Sequence, residues 1–230
     1  MRRIVVAALL MFFLLSVLSF SQEEKKEDVP LYKKVAQTYG IDNFNKIESV
    51  SFIFNVTIGK KYIKRKWEWL PKKDEVIFYK EKENGEYEKI SYNRKDINKV
   101  ENQKFREIDA NFINDQYWLF FPFHLEWDKN IEFDNQGIKE SPVNGKEMKK
   151  LVVTYTGDVG YTPNDVFELY IRDDSFIDSW VYRRGGSKTA TRNATWERYK
   201  NYNGIWLSLE HFGSNNFHLW FDGVQFKFSE

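Results

Sequence analysis

The chain has 230 residues, of which 42% are hydrophobic and 18% aromatic, enough apolar material for the core of a single domain. Its 35 Lys and Arg residues against 34 Asp and Glu residues leave a formal net charge of +1, so we expect no nucleic-acid partner. The absence of cysteine from the sequence excludes disulfides, thiolate metal sites, cysteine nucleophiles and a lipid-modified cysteine.

The first residues have the pattern of an export signal. Two arginines precede an apolar run that starts at Ile4, and small residues follow at Ser19 and Ser21. This order is typical of a signal peptide. We therefore predict a signal peptide at residues 1–21, removed on export, and a periplasmic or secreted location. A retained N-terminal anchor is the alternative, because the apolar run approaches the ~20 residues that span a bilayer.

A polar stretch and a short helix come next along the chain. Residues 22–29 (QEEKKEDV) carry too little apolar surface to order themselves, so we predict a flexible tether. Apolar residues then recur at a four-residue spacing from Leu31 to Tyr39, and Gly40 is suited to end a helix. We expect one domain over residues 30–230.

Most of the remaining sequence has the two-residue alternation of β-strands. Between Val50 and Ile58, apolar side chains occupy one parity, which predicts a half-buried strand. Similar strands are predicted at 62–70, 75–80, 86–92, 131–139, 148–156, 166–172, 176–183, 195–202, 205–212 and 217–228. Asn-Gly dipeptides between several of them favour tight hairpins, so we predict an antiparallel, meandering sheet. Asp222-Gly223 is either another hairpin turn or a bulge inside one long last strand.

A helix is predicted to interrupt the strands in the middle of the chain. Residues 104–121 place apolar side chains at helical intervals, and Pro122 is predicted to end the helix. The aromatic-rich segment 117–127 has two interpretations. It is either a core anchor that fills the concave face of a curved sheet or a movable apolar lid over a cavity, and the two roles are compatible.

Further aromatic residues lie on the predicted strands. Trp67 and Trp69 share one parity, and Trp180 and Tyr182 share another. Together they present more apolar surface than one face of a thin sheet hides. We therefore expect a helix, a partner or a ligand to cover them.

The sequence has few candidates for catalysis or metal binding. Of the three histidines, His211 and His218 could approach each other across a hairpin, but no third ligand is spaced to complete a site with them. We therefore predict no metal site and no cofactor. Asp173 and Asp178 lie in a stretch typical of turns rather than of paired catalytic acids. We therefore predict no catalytic residues.

The loop after the predicted strand 176–183 is basic. It carries Arg183, Arg184, Lys188 and Arg192, and its glycines lack the spacing of a phosphate-binding loop. A solvated hairpin loop is the simpler interpretation. Attraction to lipid head groups or to an acidic partner is the alternative.

The order of these elements resembles that of the LolA/LolB-type superfamily of bacterial periplasmic proteins. The likeness covers most of residues 30–228, and the segment Trp118–Phe123 (WLFFPF) is similar to a pattern in uncharacterised relatives of that superfamily. The resemblance implies a mainly β fold with a few helices (α+β). In such a fold an antiparallel, strongly curved, incomplete β-barrel wraps around a helical lid.

The resemblance also implies an apolar interior, which in the lipoprotein carriers shelters acyl chains. We therefore predict an exported, non-enzymatic binding protein or carrier for a hydrophobic or acylated ligand. The predicted ligand-binding residues are Trp118, Phe121 and Phe123 of the lid and Phe52, Phe54, Trp67, Trp69 and Trp180 of the strands. We expect a monomer that makes transient contact with a membrane or an envelope protein.

Two alternatives to the carrier stay open at this point. One is a cavity-free structural or interaction module of the cell envelope, whose aromatic residues pack on one another. The other, less favoured, is an envelope hydrolase that uses Asp173, Asp178 and Glu168. An open cavity beneath residues 117–127 favours the carrier, whereas a filled interior favours the module.

Overall fold

In the computed structural model, residues 28–157 and 163–229 are described. The predicted signal peptide at residues 1–21 and the tether as far as residue 27 lie outside the described residues. Within the described ranges, no helix combines the length and the apolar character that crossing a bilayer requires.

The described chain folds into two α-helices and one large antiparallel sheet. The helices are α1 (Leu31–Tyr39) and α2 (Arg106–Trp127), and the strands are β1 (Ile47–Ile58), β2 (Lys61–Leu70), β3 (Glu75–Glu81), β4 (Tyr87–Asn93), β5 (Ile131–Glu140), β6 (Glu147–Tyr155), β7 (Val166–Ile171), β8 (Ile177–Arg183), β9 (Arg192–Thr195), β10 (Glu197–Tyr202), β11 (Ile205–Gly213) and β12 (Phe217–Phe228). Short 3-10 turns precede β1 and α2.

The sheet is open and curved. Its strand order is β4-β3-β2-β1-β12-β11-β9-β8-β7-β6-β5, and β10 pairs with β11 beside this path. Because β4 and β5 are the two ends of this order and do not pair with each other, the barrel is incomplete. This confirms the predicted antiparallel, strongly curved α+β fold.

The predicted alternation in β1 is confirmed and identifies the inner face of the sheet. Phe52 and Phe54 are each 1% exposed, and Phe52 lies opposite Trp67 in the β1–β2 register. Since successive strand residues point to opposite faces, the buried aromatic residues of both strands share one face. That face packs against α2, where the ring centroids of Trp67 and Phe112 lie 5.5 Å apart.

The last strand contains a bulge rather than a hairpin. Asp222 pairs with Ile53 and Gln225 pairs with Ser51, so β12 holds one residue more than β1 between these pairs. Gly223 has a φ of +58°, which a glycine adopts without steric penalty. The bulge interpretation of Asp222-Gly223 is therefore correct and the hairpin interpretation is wrong.

The single strand predicted at 195–202 is wrong, because the chain changes partners at Trp196. Ala194 and Thr195 pair with β8, whereas the following residues of β10 pair with β11. The backbone N–H of Trp196 donates instead to the Asp178 carbonyl, at 2.8 Å. Alternation alone does not reveal where a strand exchanges one neighbour for another.

The prediction that Pro122 ends the central helix is also wrong. Helix α2 continues to Trp127 and is capped by Asp128 in an extended conformation. Pro122 has no N–H to donate to the preceding turn, which usually costs about 3 kcal/mol in a helix interior. The buried side chains on both sides of it, such as Phe121 and Phe123 at 0% exposure, pack into the core and offset that cost.

Gly40 joins α1 to the sheet at a point without room for a side chain. It caps α1 with a φ of +89°, as the sequence predicts. A Cβ at this position would lie 1.8 Å from the carbonyl oxygen of Gly204, in the turn between β10 and β11. Helix α1 therefore approaches the sheet only because residue 40 is glycine.

Substituting Gly40→Ala is expected to lower the free energy of unfolding by at least about 2 kcal/mol, because a left-handed backbone penalty adds to a collision with Gly204. Gly59→Ala is the matched control, since Gly59 also has positive φ but has nothing within 4 Å of the added Cβ. It should lose only about 1 kcal/mol. Urea unfolding followed by tryptophan fluorescence measures both, and equal losses would contradict the close-approach explanation.

Candidate functional site

A cavity of about 900 Å³ lies between α2 and the inner face of the sheet. Its wall includes Ile113, Tyr117 and Trp118 of α2, Phe54 of β1 and Trp180 of β8. Ligand pockets in proteins typically measure about 300–1,000 Å³, so this space is large enough for a small amphiphile.

The cavity reaches from solvent to the core. Ile58, Asn114 and Thr191 are exposed residues of its wall and define its mouth. Phe54 and Leu219 are each 1% exposed and lie at its inner end. The cavity is therefore open to solvent at its mouth and apolar at its inner end.

The predicted ligand-binding residues divide into two groups. Those in the cavity wall are Phe54, Trp69, Trp118 and Trp180, and those outside the wall are Phe52, Trp67, Phe121 and Phe123. The second group is at most 1% exposed and lies in the core. For example, the ring centroids of Phe121 and Trp180 lie 5.1 Å apart.

Of the three ligand-binding residues predicted in the lid, Trp118 is the one that lines the cavity. Its position on α2 places it on the same side as Asn114, one turn earlier, and both line the wall. Its ring packs against Trp180 at 4.6 Å and Phe217 at 5.5 Å between centroids, and part of it stays accessible. Trp118 thus packs against the opposite wall and also exposes part of its ring to the cavity.

A buried ion pair connects α2 to β2 beside the cavity. The guanidinium of Arg65 donates to both carboxylate oxygens of Asp115, at 2.6 and 2.5 Å, and the indole N–H of Trp67 donates to the same carboxylate at 2.9 Å. Burial raises the pKa of the Asp115 carboxyl, but Arg65 opposes this shift. Because all these partners are donors, the carboxyl group accepts as a carboxylate. The sequence shows no signal for this pair, whose members are 50 residues apart.

Asp115→Asn is expected to destabilise the fold by about 3–5 kcal/mol, because it leaves the Arg65 cation without its partner in a desolvated position. The exposed pair of Lys64 on β2 and Glu81 on β3, at 3.0 Å, provides the control. Glu81→Gln should cost at most about 1 kcal/mol. Urea unfolding at neutral pH measures both, and similar losses for the two variants would show that the buried pair has no special role.

A second polar cluster holds the end of α2. The Asp128 carboxylate accepts hydrogen bonds from Tyr117 at 2.5 Å and from Tyr155 at 2.9 Å, and it lies 2.9 Å from Nδ1 of His124. Burial alone raises the pKa of Asp128, but these hydrogen bonds outweigh it and the pKa is lowered. Burial also raises the pKa values of both tyrosines above the ordinary value, so their hydroxyls stay protonated donors.

The remaining candidates for chemistry are dispersed. His211 points inward and is fully buried, whereas His218 on the neighbouring strand points outward and contacts Glu210 at 2.9 Å. Across the described residues, no group of three His, Asp or Glu side chains is arranged to hold a metal ion. Glu168 is held by Lys150 and Arg183 on the outer face of β7, away from the cavity wall.

Asp173 and Asp178 also lie away from the cavity. Asp173 pairs with Lys149 at 3.1 Å, and Asp178 accepts a hydrogen bond from Asn144 at 2.6 Å. Neither lines the cavity wall. The structure therefore does not bring these acids together with Glu168 at one site that a substrate enters.

His211 is a buried imidazole beneath α2. Burial lowers its pKa to about 3, which the carbonyls of Thr195 and Trp118 oppose and the charges of His218 and Arg198 reinforce. Its Nδ1 lies 2.9 Å from the Thr195 carbonyl oxygen, so this nitrogen carries the proton of the neutral ring. The folded state thus favours the neutral imidazole.

The pKa of His211 in the folded protein lies below the ordinary value of about 6.5. As pH falls, the unfolded chain therefore binds a proton at His211 more readily than the folded protein does. The wild-type protein should therefore lose stability between pH 6 and pH 4. His211→Asn, which retains a donor for Thr195 but cannot titrate, should lose about 1.4 kcal/mol less per pH unit. Urea unfolding at stepped pH measures the two slopes, and parallel slopes would contradict the neutral buried state.

Comparison with known proteins defines the fold. No protein-family model matches the chain, and no curated protein sequence matches it. A LolA superfamily protein from Nitrosomonas europaea superposes with a TM-score of 0.52 at 6% sequence identity, over 85% of this chain and 93% of that chain. The chain therefore has a LolA-like fold.

Two further solved structures are similar in outline. A domain named as an outer membrane lipoprotein-sorting protein from Vibrio parahaemolyticus gives a TM-score of 0.47 at 11% identity, over 86% of this chain and 94% of that chain. A DUF1329 family protein from Desulfovibrio piger gives 0.44 at 10% identity, over 86% and 92%.

Proposed function

We propose that this chain is an exported, non-enzymatic binding protein or carrier for a hydrophobic or acylated ligand, which binds in the cavity between α2 and the sheet. The observation that carries the proposal is the cavity of about 900 Å³, with Trp118, Trp180 and Phe54 in its wall. Each methylene group moved from water into such a site contributes about 0.8 kcal/mol. A single acyl chain therefore suffices for useful affinity.

The cavity also bears on the alternative of a cavity-free envelope module. In that alternative, the aromatic residues fill the interior by packing on one another. Phe121 and Phe123 do so, but Ile113, Tyr117 and Trp118 keep accessible surface at the cavity wall. An incompletely filled interior supports the binding protein over the module.

The polar groups of the cavity support binding rather than catalysis. Both ring nitrogens of His124 are engaged, Nδ1 with Asp128 and Nε2 with Gln116, each at 2.9 Å. A general base for a hydroxyl nucleophile needs a free nitrogen within hydrogen-bond reach of that hydroxyl. His124 instead stabilises the end of α2.

The proposed protein acts outside the cytoplasm. The signal-like residues 1–21 support a periplasmic or secreted location. The proposed protein acts as a monomer. The LolA-like fold shared with the Nitrosomonas europaea protein is compatible with a carrier role. Release of the ligand would then occur in transient contact with a membrane or an envelope protein.

Filling the cavity should prevent binding. Ile113→Trp adds a ring at the cavity wall, which should exclude about two methylene groups of the ligand. At ~0.8 kcal/mol for each methylene, the affinity for a fluorescent fatty-acid probe is expected to fall about tenfold. Glu107→Trp adds the same ring at an exposed position of α2 outside the wall and should bind like the wild type. Probe fluorescence titration measures all three proteins.

Circular dichroism and urea unfolding confirm that each variant is folded before its binding is compared. No saturable binding of fatty-acid probes by the folded wild-type protein would contradict the proposed function. Equal affinity of Ile113→Trp and the wild type would place binding outside this cavity.

A further inference from the structure

Arg192 is an inward-pointing cation in the cavity wall. It lies in β9 on the same face as Ala194, which is 0% exposed, and opposite Tyr182 of β8. Its guanidinium carbon is 4.3 Å from the centroid of the Phe217 ring. Burial lowers the pKa of Arg192, although an arginine side chain stays charged at neutral pH.

The other buried or half-buried charges in the wall have specific ion-pair or hydrogen-bond partners. The cations of Arg65 and Arg94 pair with the carboxylates of Asp115 and Asp109, at 2.5 and 2.9 Å. The Asp165 carboxylate accepts hydrogen bonds from the Tyr182 hydroxyl at 2.8 Å and from the Gly185 N–H at 2.7 Å. The two ion pairs therefore bring little net charge to a ligand, whereas the Asp165 carboxylate keeps its charge and is stabilised by neutral donors.

Arg192 differs from them. In the part of the chain that the structure describes, its guanidinium has neither a carboxylate partner nor a hydrogen-bond acceptor, and it contacts only the face of Phe217. A partly buried charge without a partner is unfavourable, and a ligand anion would offset that cost. Arg184 of the same wall also lacks a carboxylate partner among the described residues, but it is exposed to solvent. Arg192 is thus the half-buried cation of the wall whose anionic partner is absent from the described chain.

The position of Arg192 within the cavity is as informative as its charge. Arg184 and Thr191, exposed residues of the same wall, lie on its solvent side. Trp180 and Phe217, at 2% and 4% exposure, lie on its inner side. Arg192 therefore lies at the boundary between the solvent-exposed part of the wall, which includes Arg184, and the aromatic interior.

We infer that the cavity binds an anionic amphiphile, with a carboxylate or phosphate head group on Arg192 and the hydrocarbon chain along Trp180 and Trp118. The inference rests on the proposed function and specifies its ligand class. A guanidinium pairs with either head group through two parallel N–H donors. The hydrocarbon chain of the amphiphile then packs against the neighbouring apolar wall, a contact that a free anion cannot make.

Ligands with the same hydrocarbon chain and different head groups show how much the head group contributes to binding. Dodecanoate, dodecyl phosphate, 1-dodecanol and dodecyltrimethylammonium are titrated into the full-length mature protein, with displacement of a fluorescent probe as the readout. The wild type should bind the two anions at least about tenfold more tightly than the alcohol, as expected for a charge-assisted hydrogen bond. The cationic detergent should bind most weakly.

Arg192→Met keeps the aliphatic volume and removes the charge. It should bind dodecanol like the wild type and lose the preference for the two anions. Arg106→Met removes an exposed cation at the start of α2, outside the cavity wall, and should keep that preference. Retained dodecanol binding also shows that Arg192→Met is folded.

The outcomes separate this inference from the proposed function. Equal wild-type affinity for dodecanol and the anions, or an anion preference that survives Arg192→Met, overturns the head-group site but leaves the apolar carrier intact. No binding of any of the four ligands overturns the proposed function itself. Competition by inorganic phosphate as strong as that by dodecyl phosphate would identify a free-anion site and overturn the amphiphile.

Discussion

The structure depends on one geometric constraint: one long helix, with only the short α1 beside it, has to cover the inner face of a sheet of twelve strands. Helix α2 does this by packing aromatic residues toward both halves of the sheet. Phe120 contacts Trp69 on one side at 5.7 Å, and Phe121 contacts Phe167 on the other at 4.7 Å between centroids. One helix cannot fill the space that so wide a curved sheet encloses, and the remaining space is the cavity.

The charges around the cavity follow from the same constraint. Two buried carboxylates of α2 meet cations from β2 and from the turn after β4, as Asp115 meets Arg65 and Asp109 meets Arg94. Burial makes such pairing necessary, because an isolated charge in the interior is strongly unfavourable. Arg192 lies where the helix leaves the sheet uncovered, so its charge faces the cavity instead of a helix side chain.

Sequence patterns predicted the parts of the fold that depend on local chemistry. The alternation of Phe52 and Phe54 identifies a strand, and Gly40 identifies the end of α1. Patterns failed where distant contacts decide the outcome: Pro122 stays inside α2 because the core packs around it, and Trp196 ends a strand because the chain exchanges neighbours there. The Arg65–Asp115 pair and the inward orientation of Arg192 depend on strand pairing, which single-sequence alternation does not specify.

The most direct test of a partly hollow, ligand-binding interior is native mass spectrometry of the protein purified from its own cell envelope without detergent exchange. A ligand-binding interior predicts a folded monomer that carries one bound molecule with the mass of an acylated compound. Organic solvent should remove that molecule. Only the bare chain mass, from protein shown to be folded and purified without delipidation, would contradict it.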